Sequence, residues 1–146
     1  TFISSTNWTE RIGPTAALAT ISKHRDQEVA GHLVRVGKLV QSGWQTAAER
    51  SGLEIEVGGI PPLSHFTLKS PDSQAAHTLF TQTMLEEGFL ASKGFYATFA
   101  HRDEHIDDYL EAVESTFASV AQALDSGGLL DMLNGPVAHT GFRRLT

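Results

Sequence analysis

The feature that most constrains the fold is a stretch of alternating side chains between Leu53 and Val57, where every second residue is a glutamate. A period of two places the apolar side chains on one face of a strand and the charged ones on the other. Residues 58–62 (GGIPP) then have the composition of a turn, and residues 65–68 (HFTL) read as a second strand. We therefore predict an antiparallel hairpin with one buried face.

Two helices are predicted before the hairpin. Pro14 suits the first position of a helix, because proline has no N–H to lose there. The alanines at positions 16, 17 and 19 predict that this helix packs closely against another element. Asp26 is predicted to cap the second helix, and Gly52 to end it in a left-handed conformation. The buried face of the second helix is predicted to carry Val29, Leu33, Val36, Val40 and Trp44.

Two further helices are predicted after the hairpin. One begins at Asp72 or Ser73 and is closed by Gly88, and the other runs from about Asp103 to Leu124. Short extended segments at residues 89–91 and 95–99, split by Gly94, lie between them. The predicted core residues of the first of these two helices are Ala76, Leu79, Phe80 and Met84. Those of the second are Ile106, Leu110, Val113, Phe117, Val120 and Leu124. The fold class predicted is α+β, with a small, mostly antiparallel sheet and helices packed on one side.

Composition excludes several classes of function. The net charge of −6 is spread along the chain, whereas nucleic-acid binding needs clustered lysine and arginine. The chain has no cysteine, so thiol chemistry and disulfides are absent. No apolar run approaches the ~20 residues of a membrane span. We therefore expect a soluble, cytoplasmic protein. Because the chain opens at Thr1 in a stretch that resembles the end of a strand, we also expect a piece of a longer protein.

His101 and His105 are four residues apart among acidic residues, which suggests a metal site. The predicted helix begins between them, however, and would leave His101 in the preceding loop. The acids then interact with the helix dipole in the first turn, and no metal site is predicted. Arg143 and Arg144 could bind a substrate carboxylate, but a surface role is the default for a terminal tail. The remaining histidines have no ligand spacing and receive no role.

Four ordered segments carry a resemblance to a known family. Residues 4–20 (SSTNWTERIGPTAALAT) resemble the segment that follows the cofactor lysine in class III pyridoxal-phosphate (PLP) aminotransferases similar to glutamate-1-semialdehyde aminomutase. The other three segments are residues 79–90, residues 99–107, which include Ala100-His101, and residues 141–145 (GFRRL). The resemblance thus covers nearly the whole chain.

The resemblance implies the C-terminal small domain of a fold-type I PLP enzyme that transfers an amino group between a small-molecule donor and a carbonyl acceptor. Residues 1–12 would be a loop from the missing large domain, and residues 13–146 the helices and small sheet. Thr6, with Ser5 beside it, would bind the PLP phosphate of the other subunit in a homodimer. The Schiff-base lysine lies upstream, so no residue here is catalytic, and this piece alone is expected to be inactive.

One departure from the family concerns Lys93. Aminomutases of this kind carry a glutamate before the strand that ends in the Ala-His pair, and here residues 92–96 (SKGFY) have Lys93 instead. The change favours an aminotransferase with a different amino donor or a sugar-like ketone. Phe95 and Tyr96, which follow it, are predicted to form part of a wall on the substrate side or to support its packing.

Two alternatives to an enzyme domain remain at this point. One is a free-standing α+β module that binds a small ligand or a partner protein through its sheet. The other is a metal-binding domain that depends on His101 and His105. The loop at residues 1–9 favours the enzyme domain, because an independent domain has little reason to open with it.

Overall fold

The computed structural model describes residues 10–141, in a chain that divides into two compact units, residues 1–32 and 33–146. The described part contains no helix that is both long and apolar enough to cross a membrane. The elements in chain order are α1 (Ile12–Asp26), α2 (Val29–Ser51), β1 (Ile55–Ile60), β2 (Leu63–Leu68), α3 (Ser73–Glu86), β3 (Gly94–Tyr96) and α4 (Asp103–Ser126).

The first unit contains α1 and the first residues of α2. Helix α1 begins at Ile12, so Pro14 is its third residue and not its first. No residue of α1 is buried in the described part of the chain, and close packing of its alanines stays a prediction. The apolar side chains are distributed around the helix and do not form one stripe. Asp26 is the last residue of α1 and pairs with Arg25 at 3.0 Å, so it does not cap α2.

The second unit is built on a three-stranded antiparallel sheet in the order β1-β2-β3. Ile60 pairs with Leu63, so the hairpin turn is only Pro61-Pro62, and the predicted turn residues Gly58 and Gly59 lie inside β1. The prolines occupy the turn because they cannot donate to a strand ladder. Gly94 pairs with His65 in β3 and does not interrupt a strand, and residues 89–91 form no strand.

The core lies on one face of this sheet. Along β2, Ser64, Phe66 and Leu68 are buried and the residues between them are exposed. The Phe66 ring lies 5.0–5.4 Å from three aromatic rings of α2, α3 and α4, namely those of Trp44, Phe80 and Phe117. The predicted α+β fold is therefore confirmed. The helical spacing also correctly assigned buried side chains, among them Val36, Val40, Leu79, Met84, Ile106, Val113 and Val120.

Helix α2 approaches two neighbours so closely that it needs glycine at the contacts. A Cβ on Gly37 would lie 1.8 Å from the carbonyl oxygen of Pro61, and a Cβ on Gly43 would lie 2.3 Å from Leu110 Cδ2. The first contact involves backbone and cannot relax by a side-chain rotation. Helix α2 ends as predicted, with Gly52 at a φ of 75°.

The segment after α4 is held by one row of side chains on α3, spaced four residues apart. This polar row consists of Gln74, Thr78, Gln82 and Glu86. Gln74 Nε2 donates to the carbonyl oxygen of Ala138 at 2.8 Å, and the backbone N–H of Ala138 donates to Thr78 Oγ1 at 3.1 Å. Gln82 bonds the backbone of Met132 and Asn134 at 3.0 and 2.8 Å. A segment without regular structure is thereby fixed against a helix.

Candidate functional site

Phe95 and Tyr96 lie at a cavity of about 310 Å³ between the end of α3, strand β3 and the start of α4. We call it the aromatic cavity. Tyr96 is 71% exposed, whereas Phe95 is half-buried. The residues that line the cavity are Phe89, Leu90, Ala91, Gly94, Phe95, Tyr96, His101 and Tyr109. The sequence prediction of a wall at Phe95 and Tyr96 thus falls on the lining of a cavity, while a role toward substrate stays a prediction.

The lining side chains of the aromatic cavity support one another through ring contacts. Phe95 stacks on His101, with centroids 5.1 Å apart and planes at 26°, and its centroid lies 5.8 Å from that of Tyr109. Trp44 Nε1 donates to the Tyr109 hydroxyl at 3.0 Å. Burial raises the pKa of Tyr109 to about 12. The phenol is therefore neutral at physiological pH and serves as a wall and hydrogen-bonding group, not as a base.

His101 is held by the turn that leads into α4. Its Nδ1 accepts the backbone N–H of Thr98 at 3.0 Å, and its own backbone N–H donates to the Thr98 carbonyl at 3.2 Å. The proton of a neutral ring is therefore placed on Nε2. Sequence reasoning placed His101 in the loop before the helix, which is confirmed, but it did not connect His101 with Phe95. The signal was available, because the histidine follows the aromatic strand by only five residues.

The structure does not place His101 and His105 as two ligands of one metal site, as their spacing suggested. His105 Nδ1 accepts the backbone N–H of Arg102 at 3.3 Å in the first turn of α4, while the Nδ1 of His101 is bonded to Thr98. Among residues 10–141, no three histidine, aspartate or glutamate side chains lie together as a metal site would require.

The two residues predicted to bind a cofactor phosphate, Ser5 and Thr6, lie outside the described residues, as do Arg143 and Arg144.

All four lysines of the chain are described, and each is exposed. Lys69 pairs with Glu56, and this contact lowers the pKa of the Glu56 carboxyl. A lysine that forms an imine is normally activated in an apolar pocket or beside another cation. The described residues therefore do not form a PLP site by themselves.

Comparisons with known proteins agree with the fold. No protein-family model matches the chain. The glutamate-1-semialdehyde 2,1-aminomutase of Thermomicrobium roseum is 29% identical over 121 residues, which cover 73% of this chain and 28% of that protein. The PLP internal aldimine form of the FumI protein of Sphingopyxis sp. MTA144 superimposes with a TM-score of 0.76 at 19% identity. The chain is thus similar in sequence to part of an aminomutase and in fold to part of a protein that was solved with PLP.

The chain corresponds in length to only part of each of these proteins. The match to FumI covers 86% of this chain and 31% of that one. The chain thus spans less than a third of the length of either protein. The resemblance that the sequence motifs indicated is confirmed by these two comparisons.

Proposed function

We propose that this chain is the C-terminal small domain of a PLP-dependent class III aminotransferase or aminomutase. The parent enzyme would transfer an amino group between a small-molecule amino donor and a carbonyl acceptor. The observation that carries the proposal is the superposition of 86% of the chain on a PLP enzyme at a TM-score of 0.76. The 29% identity to an aminomutase supports it independently.

Within such an enzyme the domain would help to close the active site. The aromatic cavity supplies a preformed surface for this role, since ring contacts with His101 and Tyr109 hold Phe95 in place. A rigid aromatic wall excludes water and orients a substrate without loss of side-chain entropy on binding. The sequence resemblance implies that Lys93 takes the position of a glutamate of the aminomutases, which supports transfer to a separate acceptor over migration within one molecule.

The cofactor would be bound mainly by parts of the parent enzyme outside the described residues. PLP supplies an electron sink for chemistry at the amino-bearing carbon. Thr6 and Ser5 would donate hydrogen bonds to the phosphate of the partner subunit's PLP, and the imine-forming lysine would lie in the large domain. Helix α1 supports a larger assembly, since its Ile12, Leu18 and Ile21 are 76, 69 and 62% exposed. The cytoplasm is the proposed compartment, in keeping with the lack of cysteine.

The test compares the 146-residue chain with its full-length parent after incubation with PLP. We expect the parent to elute from gel filtration as a dimer with cofactor absorbance and to show transaminase activity. The chain alone should fold, as circular dichroism would show, but retain no cofactor. Covalent retention of PLP by the folded 146-residue chain, or a parent without any PLP-dependent activity, would contradict the proposal.

A further inference from the structure

A second cavity, of about 660 Å³, lies beside α3 and shares no lining residue with the aromatic cavity. We call it the α3 cavity. Its volume falls in the range of small-molecule sites, roughly 300–1,000 Å³. Leu85 and Ala138 contribute apolar surface, and Thr81, Ser92 and Lys93 contribute polar groups. This combination of an apolar surface with a few polar groups is typical of a ligand site.

The walls of the α3 cavity are fixed by hydrogen bonds. The polar row of α3 bonds the backbone of residues 132–138, so one wall is the segment after α4 and the opposite wall is the helix. Asn134 Nδ2 also donates to Glu86 Oε1 at 3.2 Å. The amides of these walls are therefore already engaged, whereas Glu86 keeps its negative charge because its partner Asn134 is neutral.

Four ionisable side chains line the α3 cavity: His77, Glu86, Lys93 and His139. Glu86 is bonded to Asn134, whereas Lys93 has no ion-pair partner within residues 10–141. His77 Nε2 accepts the backbone N–H of Leu68 at 3.5 Å. Burial, with the charge of Lys93, lowers the pKa of His77. The charged side chains of the lining are thus Lys93, which has no ion-pair partner in this range, and Glu86, which is bonded to the neutral amide of Asn134.

Two hydroxyl groups accompany the charge of Lys93. Thr81 and Ser92 line the same cavity, and neither side chain hydrogen-bonds another residue of the described range. An ammonium and two hydroxyl donors beside an apolar wall match a small organic molecule that ends in an oxyanion. We propose that the α3 cavity binds a small molecule bearing a carboxylate or phosphate, with Lys93 as the counter-charge and Thr81 and Ser92 as donors.

The test needs no cofactor, because no residue that lines the cavity is proposed to bind PLP. Isothermal titration calorimetry of the full chain with succinate and with inorganic phosphate distinguishes the two oxyanion sources. We expect saturable binding of at least one of them. Lys93→Gln should weaken it by about fivefold, the scale of an exposed charge pair. Lys93→Arg should retain most of the affinity, since it keeps the charge.

The matched control is Lys38→Gln, which removes another exposed lysine that does not line the cavity. It should leave the affinity unchanged. A second readout is the imidazole signal of His77 in NMR, because a bound anion should raise its pKa in the wild type. No saturable binding of either probe, or equal binding by wild type and Lys93→Gln, would overturn the proposal.

Discussion

The indole nitrogen of Trp44 donates a 3.0 Å hydrogen bond to the hydroxyl of Tyr109, joining α2 to α4 across 65 positions of sequence. Trp44 is fully buried and Tyr109 is 7% exposed. The bond therefore satisfies a buried polar group at the base of the aromatic cavity, where Tyr109 contacts Phe95. Stability of the core and shape of the candidate site depend on the same pair.

Replacing Tyr109 by phenylalanine should destabilise the domain by about 1–3 kcal/mol, because it leaves the buried indole N–H of Trp44 without an acceptor. Urea unfolding followed by tryptophan fluorescence measures the change. Tyr96→Phe is the matched control, since this hydroxyl is on a side chain that is 71% exposed, and its free energy of unfolding should change by less than about 0.5 kcal/mol. Equal effects of the two substitutions would contradict the assignment.

Gly37→Ala should destabilise the fold by about 1–3 kcal/mol, because the added Cβ would clash with the backbone carbonyl of Pro61 at 1.8 Å. Gly31→Ala in the same helix is the control. A Cβ at Gly31 meets nothing within 4 Å, so the helical preference for alanine should leave stability equal or slightly higher. Thermal unfolding of both variants decides the point, and a harmless Gly37→Ala would show that α2 and the hairpin turn are farther apart.

His77 should make the domain less stable as the pH falls below neutrality. Burial, then the charge of Lys93, lowers the pKa of His77 in the folded state below the usual value of a histidine, which the unfolded chain keeps. As the pH falls below that value the unfolded chain takes up the proton first, so stability is lost until the folded state also titrates. His77→Gln should flatten this slope between about pH 7 and 5 in melting experiments. An unchanged slope would rule out the titration of His77 as its cause.

Thr6→Ala in the full-length dimer should weaken cofactor retention by about 1.5–3 kcal/mol, the scale of a hydrogen bond to a charged group. Equilibrium dialysis against PLP gives the affinity. Thr20→Ala is a suitable control, because the Thr20 hydroxyl donates within α1 to the carbonyl of Ala16. Equal affinity in wild type and Thr6→Ala would leave Thr6 as a turn residue.

Tyr96→Phe in the parent enzyme should alter kcat or KM if the aromatic cavity faces the substrate. The exposed hydroxyl of Tyr96 makes no contribution to the core, so a kinetic change would report substrate contact and not misfolding. Steady-state kinetics with the natural donor and acceptor provide the measurement. If both constants stay at wild-type values, Tyr96 is not part of a substrate wall.

Local patterns predicted the elements whose signal is periodic. Alternation from Leu53 to Val57 indicated a strand, and helical spacing located the buried faces of α2, α3 and α4. These predictions succeeded because burial of one face determines both the pattern and the structure. The sequence also correctly predicted that helices end at Gly52 and Gly88, both of which have a positive φ.

The predictions that failed involve residues that are equally compatible with two local structures. The pair Gly58-Gly59 suits either a turn or a strand beside a bulky side chain. In the structure it lies in a strand, because Pro61 and Pro62 form the turn and the side chain of His65 lies against Gly58. Asp26 suits a cap, but the chain bends later, at Glu28 with a φ of 47°. The α3 cavity had no sequence signal, because residues 74–93 meet residues 134–139 only through tertiary contact.

The polar row of α3 has a consequence for how the domain opens. The amides of Asn134 and Ala138 are bonded to side chains of Gln82 and Thr78, not to a backbone ladder. Apart from the partly buried Leu133 and Val137, which pack against the core, little holds this segment, so both amides should exchange with deuterium well before those of α4. Detachment also removes one wall of the α3 cavity. Occupancy of that cavity and protection of these two amides therefore share a single local equilibrium, and a ligand that fills the cavity should slow both exchange rates together.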